Sequence, residues 1–245
     1  MPFAYPLFLS LEGERCLVAG LGEVGLRKLS AVLAAGVGSV LALDAGSLCP
    51  GPEAEALLAD PRVRVEHRPC AAADIAPCRL VFAATNDAGE NARIAALCRE
   101  ARVLCNCASA PALGQFAVPA VARSAELRAA LSTSGASPAL ARILRRELED
   151  WLRPRAALAH FLGLLRPLVL AMQMDTRHNG QLFRKVAASP LGEWLAEGDL
   201  ERCRSWLGSE LPPALAAQAI PLLEAAAGAP GGPRTVPAGE THECS

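Results

Sequence analysis

The first 108 residues alternate between short apolar runs and longer segments in which apolar positions recur with helical spacing. The short runs are typical of buried strands and stand at 15–19, 39–43, 63–66, 79–85 and 103–108. Helical spacing runs through 23–35 and 88–101, and a shorter helical segment lies near 52–59. Strands that alternate with helices predict an α/β fold, in which helices cover both faces of a parallel sheet.

The pattern changes after residue 112. Two further strands are predicted within 114–124 and 126–134. A strongly helical segment follows from 138 to about 152. Ser137 is a good N-cap for this helix, because its side chain can accept a hydrogen bond from a free N–H of the first turn.

From Pro154 to about residue 226 the pattern is helical throughout. The apolar stretch 157–174 contains Arg166 and Pro167, so it predicts a buried helix that breaks near the proline, and not a membrane span. Residues 227–245 are rich in glycine and proline and lack an apolar period, which predicts a disordered tail.

Composition narrows the class of partner. The net charge is −1, which gives no indication of a nucleic-acid or membrane partner and favours a small molecule. Nine cysteines without a leader-like beginning predict reduced thiols and a cytoplasmic protein. Cys105 and Cys107 would face the same side of a strand, and we expect them to be buried side chains; no metal site is predicted.

A glycine motif follows the first predicted strand, in the stretch VAGLGEVGLRK. Gly20 permits a tight turn, Gly22 lets the backbone approach a pyrophosphate, and Gly25 lets the helix pack closely on the sheet. Asp44 ends the second predicted strand, where a carboxylate can accept hydrogen bonds from both ribose hydroxyls. Because a 2′-phosphate would be repelled there, the motif predicts NAD as the cofactor and disfavours NADP.

Five stretches, taken in order, resemble the precorrin-2 dehydrogenase/sirohydrochlorin ferrochelatase family, which includes the N-terminal part of siroheme synthase. They stand at 5–36, 80–87, 103–111, 116–124 and 131–149. The resemblance implies oxidation of precorrin-2 to sirohydrochlorin with NAD, followed in some members by insertion of Fe²⁺. It therefore implies a tetrapyrrole substrate, with Fe²⁺ or Co²⁺ as a possible substrate ion, in siroheme and porphyrin biosynthesis.

The resemblance also implies a division of the chain. A Rossmann-type NAD-binding domain is expected at 1–112, a segment that forms a homodimer at 113–150, and a helical C-terminal domain at 151–226. By position, the family's dinucleotide contacts fall on Glu23, Val24, Asp44 and Ala45. The glycines of the motif and Thr85, at the end of the FAAT strand, complete the expected cofactor residues.

A loop of small polar residues, STSGASP, precedes the helix at 138. Precorrin-2 carries eight carboxylates, so its site needs hydrogen-bond donors and positive charge. The family's loop for this purpose corresponds here to Ser132, Thr133, Ser134, Gly135 and Ser137. It leads into a helix N-terminus, and Arg142, Arg145 and Arg146 follow. Without the resemblance, the segment would be read as a capped amphipathic helix with a solvated basic face.

One position departs from the family. The aspartate regarded as central to catalysis is replaced by Ser109, which we retain as the candidate catalytic position. A serine hydroxyl is not a base at neutral pH unless another group takes its proton. Asp87 and His160 are alternative bases, neither of them favoured by the sequence. Ferrochelatase activity is therefore in doubt.

Four functions stay open at this point. The first is a dehydrogenase in which positioning of the substrate C–H supplies most of the catalysis. The second is a dehydrogenase that has lost chelatase function and leaves iron insertion to a separate protein. The third is a catalytically silent module that binds NAD or a tetrapyrrole and has a regulatory or carrier role. The fourth is a nucleotide-sensing domain of the kind that gates transporters, which would need neither the STSGASP loop nor the long helical C-terminus.

Overall fold

The computed structural model describes residues 5–46, 51–173 and 175–228. The chain divides into two compact units, Met1–Val118 and Pro119–Ser245. The predicted tail at 227–245 lies outside the described residues from residue 229 onward.

A five-stranded sheet forms the first unit. Its strands are β1 (Arg15–Ala19), β2 (Ser39–Leu43), β3 (Val63–Glu66), β4 (Leu80–Ala83) and β5 (Leu104–Cys107). Their order is β3-β2-β1-β4-β5, and all neighbours are parallel. The chain runs outward from β1 through β2 and β3 and then returns to β4 on the other side. This reversal creates a crevice at the carboxyl ends of the central strands, and the predicted Rossmann-type sheet is confirmed.

In the described part of this unit, the α-helices that accompany the sheet are α1 (Glu23–Ala34), α2 (Pro52–Leu58), α3 (Ala72–Ile75) and α4 (Ala88–Ala101). Two apolar cores lie on opposite faces of the sheet, because alternate strand residues point to opposite sides. Leu29 of α1 is buried in one core, and Ile94 of α4 is buried in the other. The four-residue helix α3 was not predicted from the sequence.

The second unit begins with an antiparallel hairpin of β6 (Ala120–Ser124) and β7 (Leu127–Leu131). Helix α5 (Pro138–Leu152) follows and contacts both strands. The remaining helices pack around one apolar core. They are α6 (Ala156–Ala171), α7 (Thr176–Ala187), α8 (Leu191–Glu197), α9 (Leu200–Glu210), α10 (Pro213–Ala219) and α11 (Leu222–Ala227). The predicted all-helical C-terminal region is confirmed.

The predicted break near Pro167 is wrong. Helix α6 continues through this proline to Ala171. Phe161, Leu165 and Val169 recur every four residues along its buried face and are fully buried. Because the same apolar stripe is buried before and after the proline, packing offsets the hydrogen bond that Pro167 cannot donate.

The strand predicted within 114–124 is shorter than expected, since β6 begins only at Ala120. Residues before it run beside β5 and bond to it irregularly. The N–H of Gln115 donates to the Cys105 carbonyl at 2.9 Å, and the Gln115 side chain accepts from the Cys105 N–H at 2.8 Å. A side chain thus replaces part of the backbone ladder. Among the described helices, none has the length and apolar character needed to cross a membrane.

Candidate functional site

A cavity of about 440 Å³ opens at the carboxyl ends of β1 to β4. Five of the predicted cofactor residues line it: Gly20, Gly22, Asp44, Ala45 and Thr85. The other three, Glu23, Val24 and Gly25, form the first turn of α1 directly after Gly22. The structure therefore brings the predicted cofactor residues together at the crevice.

The three motif glycines differ in what surrounds them. Gly20 has φ +90°, and a Cβ there would lie 2.4 Å from the Ala84 carbonyl oxygen. A Cβ on Gly25 would lie 1.8 Å from the Gly20 oxygen, whereas a Cβ on Gly22 would meet nothing within 4 Å. Gly20 and Gly25 are thus required by the fold. Gly22 keeps space open at the crevice, which is what close approach of a pyrophosphate requires.

Asp44 connects the end of β2 to the glycine loop. Its Oδ2 accepts a hydrogen bond of 2.7 Å from the Leu21 N–H, and its Oδ1 accepts one of 2.8 Å from the Gly46 N–H. Each carboxylate oxygen has a further lone pair, so Asp44 can hold the loop and still accept from a ribose hydroxyl. Gly22 is the N-cap of α1 and has no side chain, so no capping group competes for the first-turn N–H groups.

On the β4 side, Asn91 joins the loops that follow β4 and β5. This side chain is fully buried on α4. Its Oδ1 accepts from the Thr85 N–H at 2.9 Å and from the Thr85 hydroxyl at 2.8 Å. Its Nδ2 donates to the Thr85 carbonyl at 2.9 Å and to the Ser109 hydroxyl at 3.1 Å. Asn91 therefore fixes a predicted cofactor residue and the predicted catalytic position relative to each other.

Asn91 was missed by reasoning from the sequence. A signal was present, because this asparagine lies on the apolar face of α4 with Ile94, Ala95 and Cys98. A polar side chain at such a position requires buried hydrogen-bond partners. Ser109 itself is exposed on the loop after β5, and its hydroxyl lies 3.9 Å from the Cys107 sulfur.

Both alternative bases have hydrogen-bond partners. Asp87 lines the cavity, but it also caps α4 by accepting from the Gly89 and Glu90 N–H groups at 2.7 and 3.2 Å. His160 lies in the second unit, where its Nδ1 is 2.5 Å from the Glu126 carboxylate. This hydrogen bond lowers the pKa of Glu126 below its usual value.

Glu90 also lines the cavity, and Arg93 donates to both of its carboxylate oxygens at 2.7 Å. This pairing lowers the pKa of Glu90, because the guanidinium favours the ionised form. A carboxylate with a lowered pKa is a weaker proton acceptor.

The predicted substrate loop folds as one hydrogen-bonded turn in the second unit. Thr133 and Ser137 exchange two hydrogen bonds of 3.3 Å, and the Ser134 N–H donates to the Ser132 hydroxyl at 3.1 Å. Gly135 has φ +85°. The Ser137 hydroxyl accepts from the Leu140 N–H at 3.1 Å, which confirms it as the N-cap of α5.

Among the following arginines, Arg145 forms an ion pair with Glu149, and Arg142 and Arg146 are exposed. The loop ends at Ser137, the N-cap of α5, and the two exposed arginines lie four residues apart on the second and third turns of that helix. Within the described residues, no group of three or more histidine, cysteine, aspartate or glutamate side chains is arranged to hold a metal ion.

Comparison with known proteins agrees with the two parts of the chain. A family model described as putative NAD(P)-binding matches residues 7–120, and one described as sirohaem biosynthesis protein central matches residues 130–150. The siroheme synthase of Pseudomonas putida is 37% identical over 190 residues, which cover 77% of this chain and 40% of that protein. The siroheme synthase of Azotobacter vinelandii is 33% identical over 214 residues, covering 84% and 44%.

The chain thus spans less than half the length of these curated relatives. Among solved structures, SirC, a precorrin-2 dehydrogenase, shares the fold with a TM-score of 0.61 and 20% identity, over 91% of this chain and all of that one. Sequence and fold together confirm the resemblance to siroheme synthase: the family models match the NAD(P)-binding region and the central region of this chain, and these relatives align over 77% to 84% of it.

Proposed function

We propose that this chain is an NAD-dependent precorrin-2 dehydrogenase that forms sirohydrochlorin. One observation carries the proposal. The crevice has a glycine loop and Asp44 on one side, and Thr85, tied through Asn91 to Ser109, on the other. A nucleotide-sensing domain would need only the first side, which suits a dinucleotide. The second side joins a cofactor residue to the position at which the family carries out its chemistry.

The residues at the crevice fit a nicotinamide dinucleotide. The open space beside Gly22 and the first-turn N–H groups of α1 suit a pyrophosphate, and Asp44 suits a ribose. When bound, the cofactor supplies the hydride acceptor. We propose NAD over NADP, because the Asp44 carboxylate would repel a 2′-phosphate.

Ser109 is proposed to position the substrate and not to act as a base. Its hydroxyl accepts from Asn91, so its own proton stays available for donation. The reaction releases a proton as well as a hydride, and in this proposal water takes the proton. Iron insertion must remove two pyrrole protons, so the loss of the family aspartate affects it more severely. We therefore propose that the chain inserts iron or cobalt poorly.

The second unit is proposed to bind the tetrapyrrole carboxylates through the loop at 132–137. We also propose a homodimer formed through 113–150. Helix α5 exposes Leu140, Ile143 and Trp151 at fractions of 46%, 55% and 56%, and these residues lie on one side of the helix. Such a stripe suits a second copy of the chain.

We place this activity in the cytoplasm. The seven cysteines within the described residues are all buried and free, as expected where thiols stay reduced.

The test combines the purified chain, precorrin-2 and NAD⁺. We expect NADH and the sirohydrochlorin spectrum to form together, with and without Fe²⁺ or Co²⁺ in parallel samples. If NAD⁺ binds but NADH does not exceed the rate without enzyme, the chain is a silent binding module. Rapid metal incorporation would contradict the proposed loss of chelatase activity.

A further inference from the structure

The cavity has a third side, formed by the loop after β3. Arg68, Pro69 and Cys70 line the same cavity as Asp44 and Ala45, and the Asp44 N–H donates to the Glu66 carbonyl at 3.1 Å. Reasoning from the sequence did not single out this loop. It belongs to the first unit, as does the rest of the cavity.

Arg68 is the charged residue of this loop, and two carboxylates hold it. Its Nη1 and Nη2 donate to the two oxygens of Asp74 at 2.6 and 2.8 Å, and its Nε donates to Glu66 at 2.7 Å. Nη1 also donates to the Pro69 carbonyl at 3.1 Å. The fork of the guanidinium is therefore occupied by a bidentate carboxylate.

Asp74 is itself held in place. Its Oδ2 accepts from the Ala71 N–H at 2.8 Å, at the beginning of α3. Its side chain is only 12% exposed, whereas that of Arg68 is 38% exposed. The pairing lowers the pKa of Asp74 and raises that of Arg68, so both groups stay charged.

A guanidinium beside the ribose acid is the group that would bind a 2′-phosphate, because its planar donors match phosphate oxygens as well as carboxylate oxygens. Here Asp74 accepts from the same guanidinium N–H groups that a phosphate would need. A 2′-phosphate would have to displace Asp74 from Arg68 while facing the charge of Asp44.

We propose that Arg68 determines cofactor specificity, as a latent 2′-phosphate ligand that Asp74 and Glu66 keep engaged, so that the cleft selects NAD over NADP. This inference rests on the proposed function, since it requires a nicotinamide cofactor in this cavity. This mechanism acts in addition to the repulsion of a 2′-phosphate by Asp44. NADP would be disfavoured because the guanidinium of Arg68, which could bind its 2′-phosphate, is already paired with Asp74 and Glu66.

The test measures dissociation constants of NAD⁺ and NADP⁺ by calorimetry, without a tetrapyrrole. Asp74→Asn keeps the size of the side chain and an acceptor for the Ala71 N–H, but removes the charge that holds Arg68. We expect the affinity for NADP⁺ relative to NAD⁺ to rise about tenfold, the effect of about one charge-assisted hydrogen bond.

Two controls separate this effect from a general change in charge. Asp60→Asn removes the 2.7 Å ion pair between Asp60 and Arg62, neither of which lines the cavity. This variant should leave the ratio of NADP⁺ to NAD⁺ affinity unchanged. Combined with Asp74→Asn, Arg68→Gln should abolish the gain. Arg64→Gln in the same background should retain it, because Arg64 pairs with Glu66 from a side chain that is 79% exposed.

The proposal is overturned if Asp74→Asn binds NAD⁺ normally with an unchanged ratio. It is also overturned if the gain survives Arg68→Gln, or if Arg64→Gln removes it equally. Should Asp74→Asn fail to bind NAD⁺, Asp74→Ala takes its place with the same expectation, since it also frees Nη1 and Nη2 of Arg68. Wild-type protein that binds neither cofactor would refute the proposed function too, whereas an unchanged ratio in a binding variant refutes only the role of Arg68.

Discussion

The side-chain amide of Asn91 donates a hydrogen bond of 3.1 Å to the hydroxyl of Ser109, 18 residues further along the chain. The same amide group makes three hydrogen bonds with Thr85. One buried asparagine thus sets the distance between the loops after β4 and β5. Ser109, at the position where the resemblance implies an aspartate, is therefore tied through Asn91 to Thr85, which lines the cavity.

Replacement of Asn91 should destabilise the first unit. Asn91→Ala would leave the Thr85 N–H and carbonyl without their partner, and such a loss costs about 2–3 kcal/mol in the free energy of unfolding. Urea denaturation followed by circular dichroism measures the change. Asn86→Ala is the matched control, since Asn86 is an exposed asparagine lining the same cavity. Equal stability of the two variants would show that the Asn91 hydrogen bonds contribute little.

Replacement of Ser109 by aspartate should raise the rate of dehydrogenation or of iron insertion. In Ser109→Asp, the Asn91 Nδ2 can donate to the new carboxylate as it now donates to the hydroxyl. A positioned base typically contributes a factor of about 10² or more, so we expect at least about a tenfold rise in dehydrogenase rate or in iron insertion. Ser109→Asn, similar in size but uncharged, should not reproduce it. If neither rate changes, the position of Ser109 is not one at which a catalytic base has been lost.

Two glycines of the same motif should respond differently to one added methyl group. Gly25→Ala would place a Cβ 1.8 Å from the Gly20 oxygen and should strongly lower the melting temperature. Gly22→Ala adds its Cβ to open space, so the fold should keep its stability while NAD⁺ binding weakens. Thermal denaturation and calorimetric titration of both variants test this contrast. A Gly22→Ala protein with wild-type NAD⁺ affinity would show that the pyrophosphate lies elsewhere.

The sequence predicted those parts of the site whose interactions are local. The turn at Gly20 and the acid at Asp44 lie within one βαβ unit, so spacing along the chain carried the information. Asn91 and Arg68 act through partners that the spacing does not reveal, since the fold brings Ser109 to one and Asp74 to the other. The course of α6 through Pro167 likewise depends on the core around it, which local propensity does not include.

Asp44 should control both affinity for the cofactor and its selection. Asp44→Ala removes a carboxylate able to accept from the ribose, and also the bonds to the Leu21 and Gly46 N–H groups. We expect NAD⁺ affinity to fall about ten- to hundredfold, the effect of losing hydrogen bonds to a charged group, with NADP⁺ affected less. Asp60→Asn serves as the control for loss of a distant carboxylate. An unchanged preference for NAD⁺ over NADP⁺ would exclude Asp44 as the ribose acceptor.

The exposed apolar stripe on α5, formed by Leu140, Ile143 and Trp151, predicts the oligomeric state of the protein. Ile143→Glu would replace an exposed apolar side chain of this stripe by a charge, four residues from the exposed Glu147, and burying an unpaired charge in an interface is strongly unfavourable. If the stripe covers its counterpart in a second copy, sedimentation velocity should show a dimer for the wild type and a monomer for the variant. Ser205→Glu, on an exposed position of α9, introduces the same charge elsewhere and should leave the dimer intact. A dimer that persists in Ile143→Glu would place the interface on another surface.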